Sequence, residues 1–322
     1  MRSPDDMLTV RVSEVRAQAC DVMQLELRGE PARDLPAFEP GAHIDLHLPN
    51  GLARQYSLLN DWRERDRYVI AVGRAAPGRG GSRYLHDMVR RDTRLAISAP
   101  RNNFPLQADA ASYVFVAGGI GITPILAMIR WCQANRKPWR LVYASRSRQR
   151  AAFYEELREA FAQRVRFHFD DESGGPLDVA AALRDLASTD SVYCCGPAPL
   201  MQAVRQACGH LPEQNVRFEW FSSAEAPVAQ HGADGGFWID LAHSNTALFV
   251  APEQSILQVL EDYGLDVPNS CREGLCGTCE ATVLQGEPDH RDFVRSPAEH
   301  ARCRSIMLCV SRAKSARLAL AL

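Results

Sequence analysis

Four cysteines near the carboxyl end have a spacing suited to one kind of chemistry. Cys271, Cys276, Cys279 and Cys309 follow the pattern C-x4-C-x2-C-x29-C. Three thiolates on one tight loop and a fourth from a distant strand can surround two irons and two sulfides, and this is the plant-type 2Fe-2S spacing. Gly274 and Gly277 inside the loop allow positive φ and close approach, so backbone N–H groups can point at sulfur and tune a potential. A structural zinc site is the competing chemistry, but zinc ribbons usually pair two C-x2-C knuckles and this chain has one. Cys303 competes for the fourth position. It lies in the polar run Ala301-Arg302-Cys303-Arg304, whereas Cys309 lies in the apolar run Ile306-Met307-Leu308-Cys309-Val310, which would hold a ligand rigidly and is favoured. Cys20, Cys132, Cys194, Cys195 and Cys208 fall in strand-like or helix-like runs and read as small buried hydrophobes. Cys195 stands apart because it ends a strand just before Gly196-Pro197.

A second constellation is rich in glycine. Gly118-Gly119-Ile120-Gly121 joins the buried run Val114-Phe115-Val116-Ala117 to Thr123-Pro124. A strand, a glycine turn and a helix capped by Thr123 with Pro124 as its first residue make an anion site, because free amides at the helix start face a phosphate. The turn departs from the G-x-G-x-x-G fingerprint, since Pro124 stands in the place of the third glycine, and a packing turn without a ligand has the same look. In a parallel sheet, however, ligands bind at the carboxyl ends of the strands. The other strand ends carry Ser145 and Arg146, Asp170 and Asp171, and Cys195-Gly196-Pro197, and together they describe a dinucleotide crevice. Asp170 or Asp171 would bind ribose hydroxyls and repel a 2′-phosphate, which favours NADH. Arg146 pulls the other way, although it also reads as a solvated arginine in the run Arg146, Arg148, Arg150.

A third constellation lies nearer the amino end. In Arg54-Gln55-Tyr56-Ser57-Leu58, residues 54, 56 and 58 face one side of a strand and 55 and 57 the other. An arginine to clamp phosphate, a flat tyrosine to stack and a serine to donate to a ring nitrogen are what a flavin mononucleotide would use. Gly78-Arg79-Gly80-Gly81-Ser82, before a short helix, is a second phosphate cradle. An amphipathic strand and a surface turn are the plainer readings of these segments.

The elements that must position these residues are legible in the rhythm of the chain. At roughly 150 residues per domain, 322 residues allow two domains or three small ones. Short apolar or alternating runs at 8–12, 22–27, 44–48, 68–72 and 94–97, punctuated by Gly and Pro, predict a small antiparallel β-barrel or sandwich, with one short helix near 84–89. From about 110, strands at 114–117, 141–144, 165–169, 192–195 and 216–218 alternate with helices at 124–134, 151–161, 179–186 and 199–208, predicting an α/β parallel sheet. Residues 222–236 are small and polar, as a linker is. Beyond them Ser255-Ile256-Leu257-Gln258 opens a helix that Gly264 can end, followed by strand-like runs around the cysteine loop. The expected bounds are 1–106 for the barrel, 107–224 for the parallel sheet, 225–235 for the linker and 236–322 for the cysteine domain.

Composition narrows the function class. Hydrophobic residues are 46% and charged residues 24%, as in ordinary globular chains, and the net charge of −2 lacks the footprint of a nucleic-acid binder. The stretch 110–129 carries no charge, yet its three glycines and proline argue against a membrane span. Asp5 and Asp6 interrupt the amino terminus before any apolar run, so no signal peptide is expected and a reducing cytoplasm is.

The order RQYSL, GRGGS, GGIGITP, CCGP and CREGLCGTCE leading to Cys309 resembles the phthalate dioxygenase reductase family along essentially the whole chain. This family, with the vanillate O-demethylase reductases, comprises one-chain FMN-containing reductases of Rieske oxygenases. The resemblance implies an FMN-binding β-barrel, a nicotinamide-nucleotide α/β domain and an α+β β-grasp ferredoxin-like domain. It implies that Arg54 reaches the FMN phosphate, Tyr56 stacks on the ring and Ser57 lies near flavin N5, with Gly80, Gly81 and Ser82 as the phosphate turn. Thr123 joins the FMN set, and Phe221 matches the aromatic that covers the other flavin face. Gly119, Gly121 and Pro124 match the nucleotide turn, Asp170 the acidic residue that goes with NADH preference, and Cys195, Gly196 and Pro197 the segment beside the nicotinamide. Cys271, Cys276, Cys279 and Cys309 match the cluster ligands.

The implied chemistry is coherent. NADH gives two electrons as hydride and a 2Fe-2S cluster accepts one, so a flavin between them is required, and no general acid/base pair or catalytic triad is expected. The expected partners are NADH and a Rieske-type terminal oxygenase, with no nucleic acid and no membrane, and a monomer is expected. Residues 233–322 carry twelve acidic and eight basic side chains, which would suit docking on a basic surface, although a solvated face explains the count equally well. The alternatives are a free-standing NADH:acceptor reductase and a redox-sensing iron-sulfur flavoprotein.

Overall fold

The computed structural model describes residues 7–30, 33–49, 51–74, 80–221 and 235–322. The chain divides after Glu219 into two compact units.

The first unit begins with antiparallel strands. β1 (Met7–Ala19), β2 (Val22–Gly29), β3 (His43–His47), β4 (Ala53–Ser57), β5 (Tyr68–Gly73), helix α1 (Gly81–Met88) and β6 (Arg94–Ser98) follow one another. The six strands hydrogen-bond in the order β4-β3-β6-β1-β2-β5, and the edge strands β4 and β5 approach each other, so the sheet curls. Its interior holds Val10, Leu25, Leu27, Ile44, Leu46, Ile70 and Ile97, contributed by the inward-facing positions of the strands. This is the expected antiparallel β architecture.

The parallel sheet follows in the same unit. Its elements are β7 (Ser112–Gly118), α2 (Ile122–Ala134), β8 (Trp139–Ser145), α3 (Tyr154–Phe161), β9 (Val165–Phe169), α4 (Asp170–Ser173), α5 (Val179–Ala182), β10 (Asp190–Cys195), α6 (Ala198–Ala207) and β11 (Val216–Glu219). Its order is β11-β10-β7-β8-β9, all parallel. β7 and β10 are central and buried along nearly their whole length, which is why they read as continuous apolar runs. One core joins Val22, Leu59, Val69, Ala71 and Phe104 to Phe115, Ile122, Ile125 and Tyr143, so apolar packing runs on across residue 106. The uncharged stretch 110–129 is a strand, a turn and half a helix, and no helix among the described residues is long and apolar enough to cross a membrane.

Local chemistry moved several boundaries. Thr123 does not cap α2: the helix begins at Ile122 after a 3₁₀ turn, and the Thr123 hydroxyl donates to the Ile120 carbonyl at 3.0 Å. Pro124 is therefore the third helical residue, where its missing N–H still costs no hydrogen bond. The helix expected at 151–161 starts at Tyr154, after Phe153 takes a left-handed conformation (φ 60°). The helix expected at 179–186 ends at Ala182.

The second unit contains β12 (Phe237–Leu241), β13 (Thr246–Val250), α7 (Ile256–Tyr263), β14 (Glu280–Gln285), β15 (Pro288–Asp289), α8 (Pro297–His300), β16 (Ser305–Met307), β17 (Arg312–Ala313) and β18 (Arg317–Leu320). Its mixed sheet has the order β13-β12-β18-β14-β16, with β12 and β18 parallel. Helix α7 lays Ile256, Leu257 and Leu260 on this sheet. Ser255 caps it by accepting from the Gln258 N–H, and left-handed Gly264 ends it, as expected. The complete reciprocal capping box is instead at α8, between Ser296 and Glu299.

Candidate functional site

In the second unit, pairing of β14 with β16 closes the gap of 29 residues between Cys279 and Cys309. Glu280 stands opposite Met307, and the Leu308 N–H donates to the Cys279 carbonyl at 3.1 Å. The four sulfurs are brought near one another: Cys271 interacts with Cys276 and Cys309, and Cys309 also with Cys279. Backbone N–H groups of Glu273 and Leu275 reach Cys271 at 3.3 and 3.4 Å, and that of Thr278 reaches Cys276 at 3.4 Å. The Cys276 and Cys309 hydrogen bonds, with those amides, hold the Cys271 thiol well below its ordinary value although burial opposes them. Gly274 (φ 69°) and Gly277 (φ 73°) turn the loop, and a Cβ on Gly274 would lie 2.6 Å from Val310 Cγ2. The Cys303 sulfur stands apart, facing the carbonyls of His300 and Ser305.

Three buried cysteines and the half-buried Cys271, supplied with amide donors, fit a 2Fe-2S cluster. The buried Ser270 and Thr278 hydroxyls on the same loop have no hydrogen-bond partner, leaving donors to spare for additional sulfur.

In the first unit, the turns after β7 and β10 interlock. A Cβ on Gly118 would lie 2.6 Å from Pro197 Cδ, one on Gly196 would lie 2.9 Å from Gly118 Cα, and one on Gly121 would run into the Cys195 carbonyl. Gly119 differs: it is left-handed (φ 53°) and a Cβ there would meet nothing within 4 Å. The glycines at 118, 121 and 196 thus serve backbone packing, and the one at 119 faces open space. At the neighbouring strand end Asp170 opens the single turn α4 and lies 3.3 Å from His168 Nε2. The Asp171 N–H donates to the Arg146 carbonyl at 3.2 Å, joining the loops after β8 and β9. Arg148 is held by Glu172 and Arg150 by Asp21, while Arg146 has no ion pair among the described residues.

Strand β4 and helix α1 meet at Arg54. A Cβ on Gly81 would lie 2.6 Å from Arg54 Cγ, and Gly80, left-handed at φ 86°, leads into α1 without a side-chain cap of its own. An arginine beside a glycine-led helix start fits an FMN phosphate. Tyr56 packs on the barrel core, and burial pushes its phenol up despite Arg54 nearby. Beneath the strand, Gln55 donates to Asp45 at 3.2 Å and contacts His43 Nε2 at 3.1 Å, and Arg101 donates to Asp45 at 2.6 Å, so β4 is fixed from below. Ser57 is buried and hydrogen-bonds Glu219, the last residue of β11.

Glu219 was missed by sequence reasoning. It stands opposite Cys195 in the β10/β11 register, its Oε2 is buried without a partner, and burial pushes its carboxyl up to about 8 against the lowering effect of Ser57. Its only signal was an acid in the strand-like run Phe218-Glu219-Trp220-Phe221. Phe221 is 43% exposed in the second unit. Gly78 and Arg79 of the phosphate cradle, Asn50 of the turn before β4, and the linker up to residue 234 lie outside the described residues.

The fold and these sites define a modular pyridine-nucleotide oxidoreductase that carries its own ferredoxin-like domain. Residues 115–206 match the oxidoreductase NAD-binding domain, and 241–314 match the 2Fe-2S iron-sulfur cluster binding domain. The chain is 43% identical to a phenoxybenzoate dioxygenase subunit beta of Ectopseudomonas oleovorans, over 97% of both chains. It is 42% identical to a tetrachlorobenzoquinone reductase of Sphingobium chlorophenolicum, over 99% of both. Phthalate dioxygenase reductase, described as a modular structure for electron transfer from pyridine nucleotides to [2Fe-2S], superposes with a TM-score of 0.73 at 40% identity, covering 99% of this chain and 98% of that one. The chain belongs to the phthalate dioxygenase reductase family. It is an NADH-dependent oxidoreductase, and the cofactor set expected from its sequence, FMN, NADH and a 2Fe-2S cluster, is that of the family.

Proposed function

We propose that this chain delivers electrons from NADH, through FMN and its 2Fe-2S cluster, to a Rieske-type terminal oxygenase, working as a monomer in the cytoplasm. The observation that carries this reading is the convergence of Cys271, Cys276, Cys279 and Cys309 in a chain that also interlocks the glycine turns after β7 and β10 and sets Gly81 against Arg54. Bound flavin accepts two electrons together and releases them singly, which joins a hydride donor to a one-electron acceptor. Arg54 and the amides around Gly80, Gly81 and Ser82 hold the FMN phosphate, and Tyr56 and Phe221 flank the ring. Ser57 presents its hydroxyl near the ring nitrogen, and Thr123 acts from inside its turn by fixing Ile120. Gly119, Gly121, Pro124 and the Cys195-Gly196-Pro197 segment position NADH, with Asp170 on the ribose. Ten cysteines without a disulfide support the reducing compartment. The proposed domain bounds are 1–106, 107–224 and 236–322, joined by 225–235, with the compact units dividing slightly earlier, after Glu219.

A quinone acceptor is the second reading, supported by the relative named for tetrachlorobenzoquinone. Cytochrome c tests the electron order common to both. Cys276→Ser is expected to keep NADH-dependent flavin bleaching and lose cytochrome c reduction; retention of both overturns the order. Coupled turnover with a Rieske oxygenase, compared with turnover on benzoquinones, separates the acceptors.

A further inference from the structure

Behind the cysteine loop, two imidazoles outside the four-sulfur set gather around one carboxylate. The Asp292 side chain is 1% exposed. Nε2 of His300, the last residue of α8, lies 3.1 Å from both Asp292 oxygens, and Nδ1 of His290 lies 3.9 Å from Oδ2. The two imidazoles stack, with centroids 4.3 Å apart and planes 4° apart. One donor atom from each residue lies within 4.8 Å of the other two.

A carboxylate buried to this degree needs a compensating positive charge. Among the described residues no lysine or arginine forms an ion pair with Asp292, although Arg295 lies near enough to attract it; its direct partners are the two imidazoles and the Val294 N–H, 3.2 Å from Oδ1. Two imidazole nitrogens and one carboxylate are a donor set for a borderline divalent ion, distinct in chemistry from the four thiolates. We propose that His290, Asp292 and His300 form a site for a divalent transition metal of the zinc type, with water in the fourth position. Zinc with bonds of about 2.0–2.2 Å spaces tetrahedral ligands about 3.3–3.6 Å apart. The rings therefore tilt out of their stack by about 1 Å toward the ion, a movement open to His290 and His300, both half-buried.

The site is placed to act as a clamp. The Phe293 N–H donates to the Gly274 carbonyl at 2.9 Å, and a Cβ on Gly274 would lie 3.1 Å from Asp292 Cα, so the segment carrying Asp292 braces the cysteine loop. A metal joining His290 to His300 ties α8 to that brace.

The test is zinc chloride titrated into the chelator-washed holoprotein and followed by calorimetry, metal analysis and thermal unfolding. One zinc per chain is expected, with iron content unchanged and the melting temperature of the cysteine domain raised by about 5 °C. His290→Gln and His300→Asn should each lose the bound equivalent and the thermal shift while keeping the visible absorption of the cluster. Cys20→Ser/Cys303→Ser should keep both. Zinc bound equally by the histidine variants, lost with the two cysteines, or absent from the wild type overturns the site. Electron transfer to cytochrome c is not the readout, so failure here leaves the proposed function standing.

Discussion

Individual side chains divide into those whose roles show in their spacing and those visible only in their surroundings. The cysteine loop is of the first kind, because ligand spacing along a loop is itself geometry. Apolar neighbours favour Cys309 over Cys303, and the β16 segment from Ser305 pairs with β14 and carries residue 309 toward the loop. Glu219 is of the second kind, since the burial that perturbs it comes from elements far away in sequence. In the folded chain its carboxyl is pushed up to about 8, against 4.5 ordinarily. The folded state therefore keeps a proton that the unfolded chain releases, and stability falls as pH rises from about 4.5 to 8. Glu219→Gln should flatten that slope, with a difference of a few kcal/mol by pH 8. Urea unfolding of both proteins at pH 5.5, 7 and 8.5 checks it, and parallel pH profiles would return Glu219 to an ordinary carboxylate.

At the level of elements, most of the strands were legible because burial imposes period two or a continuous apolar run. Helix starts were less so. Thr123 has the composition of a cap, yet the 3₁₀ turn Gly119–Gly121 takes the chain into α2 first and leaves the hydroxyl bonded inward. The glycines of that turn have unlike tasks, although in sequence they look alike. Gly121→Ala places a methyl group against the Cys195 carbonyl and should cost about 2–3 kcal/mol of stability. Gly119 has space but a φ of 53°, so Gly119→Ala should cost only about 1 kcal/mol. Thermal unfolding and the KM for NADH separate the two. Gly121→Ala is expected to lower Tm more, and Gly119→Ala to act mainly on KM, because its side faces the open end of the sheet. Equal losses of stability would refute the division of labour.

For the whole molecule, composition supplied limits and motif order supplied the plan. A net charge of −2 hid an uneven distribution, with the excess of acid in 233–322. What composition left open was the grouping of modules: the antiparallel and parallel sheets share a core around Phe104, Phe115 and Ile122, while the cysteine domain has a core of its own around Ile239, Leu260 and Ile306. Cores that close separately allow separate folding. A chain ending at Phe221 should therefore fold, bind flavin and oxidise NADH with ferricyanide as acceptor, but fail to reduce cytochrome c, because the one-electron exit lies beyond it. The residual ferricyanide rate against the full chain is the decisive number. A rate near that of the intact protein means that hydride transfer needs only the first unit. Collapse of that rate with the flavin still bound would mean that residues beyond 221 take part in NADH oxidation itself.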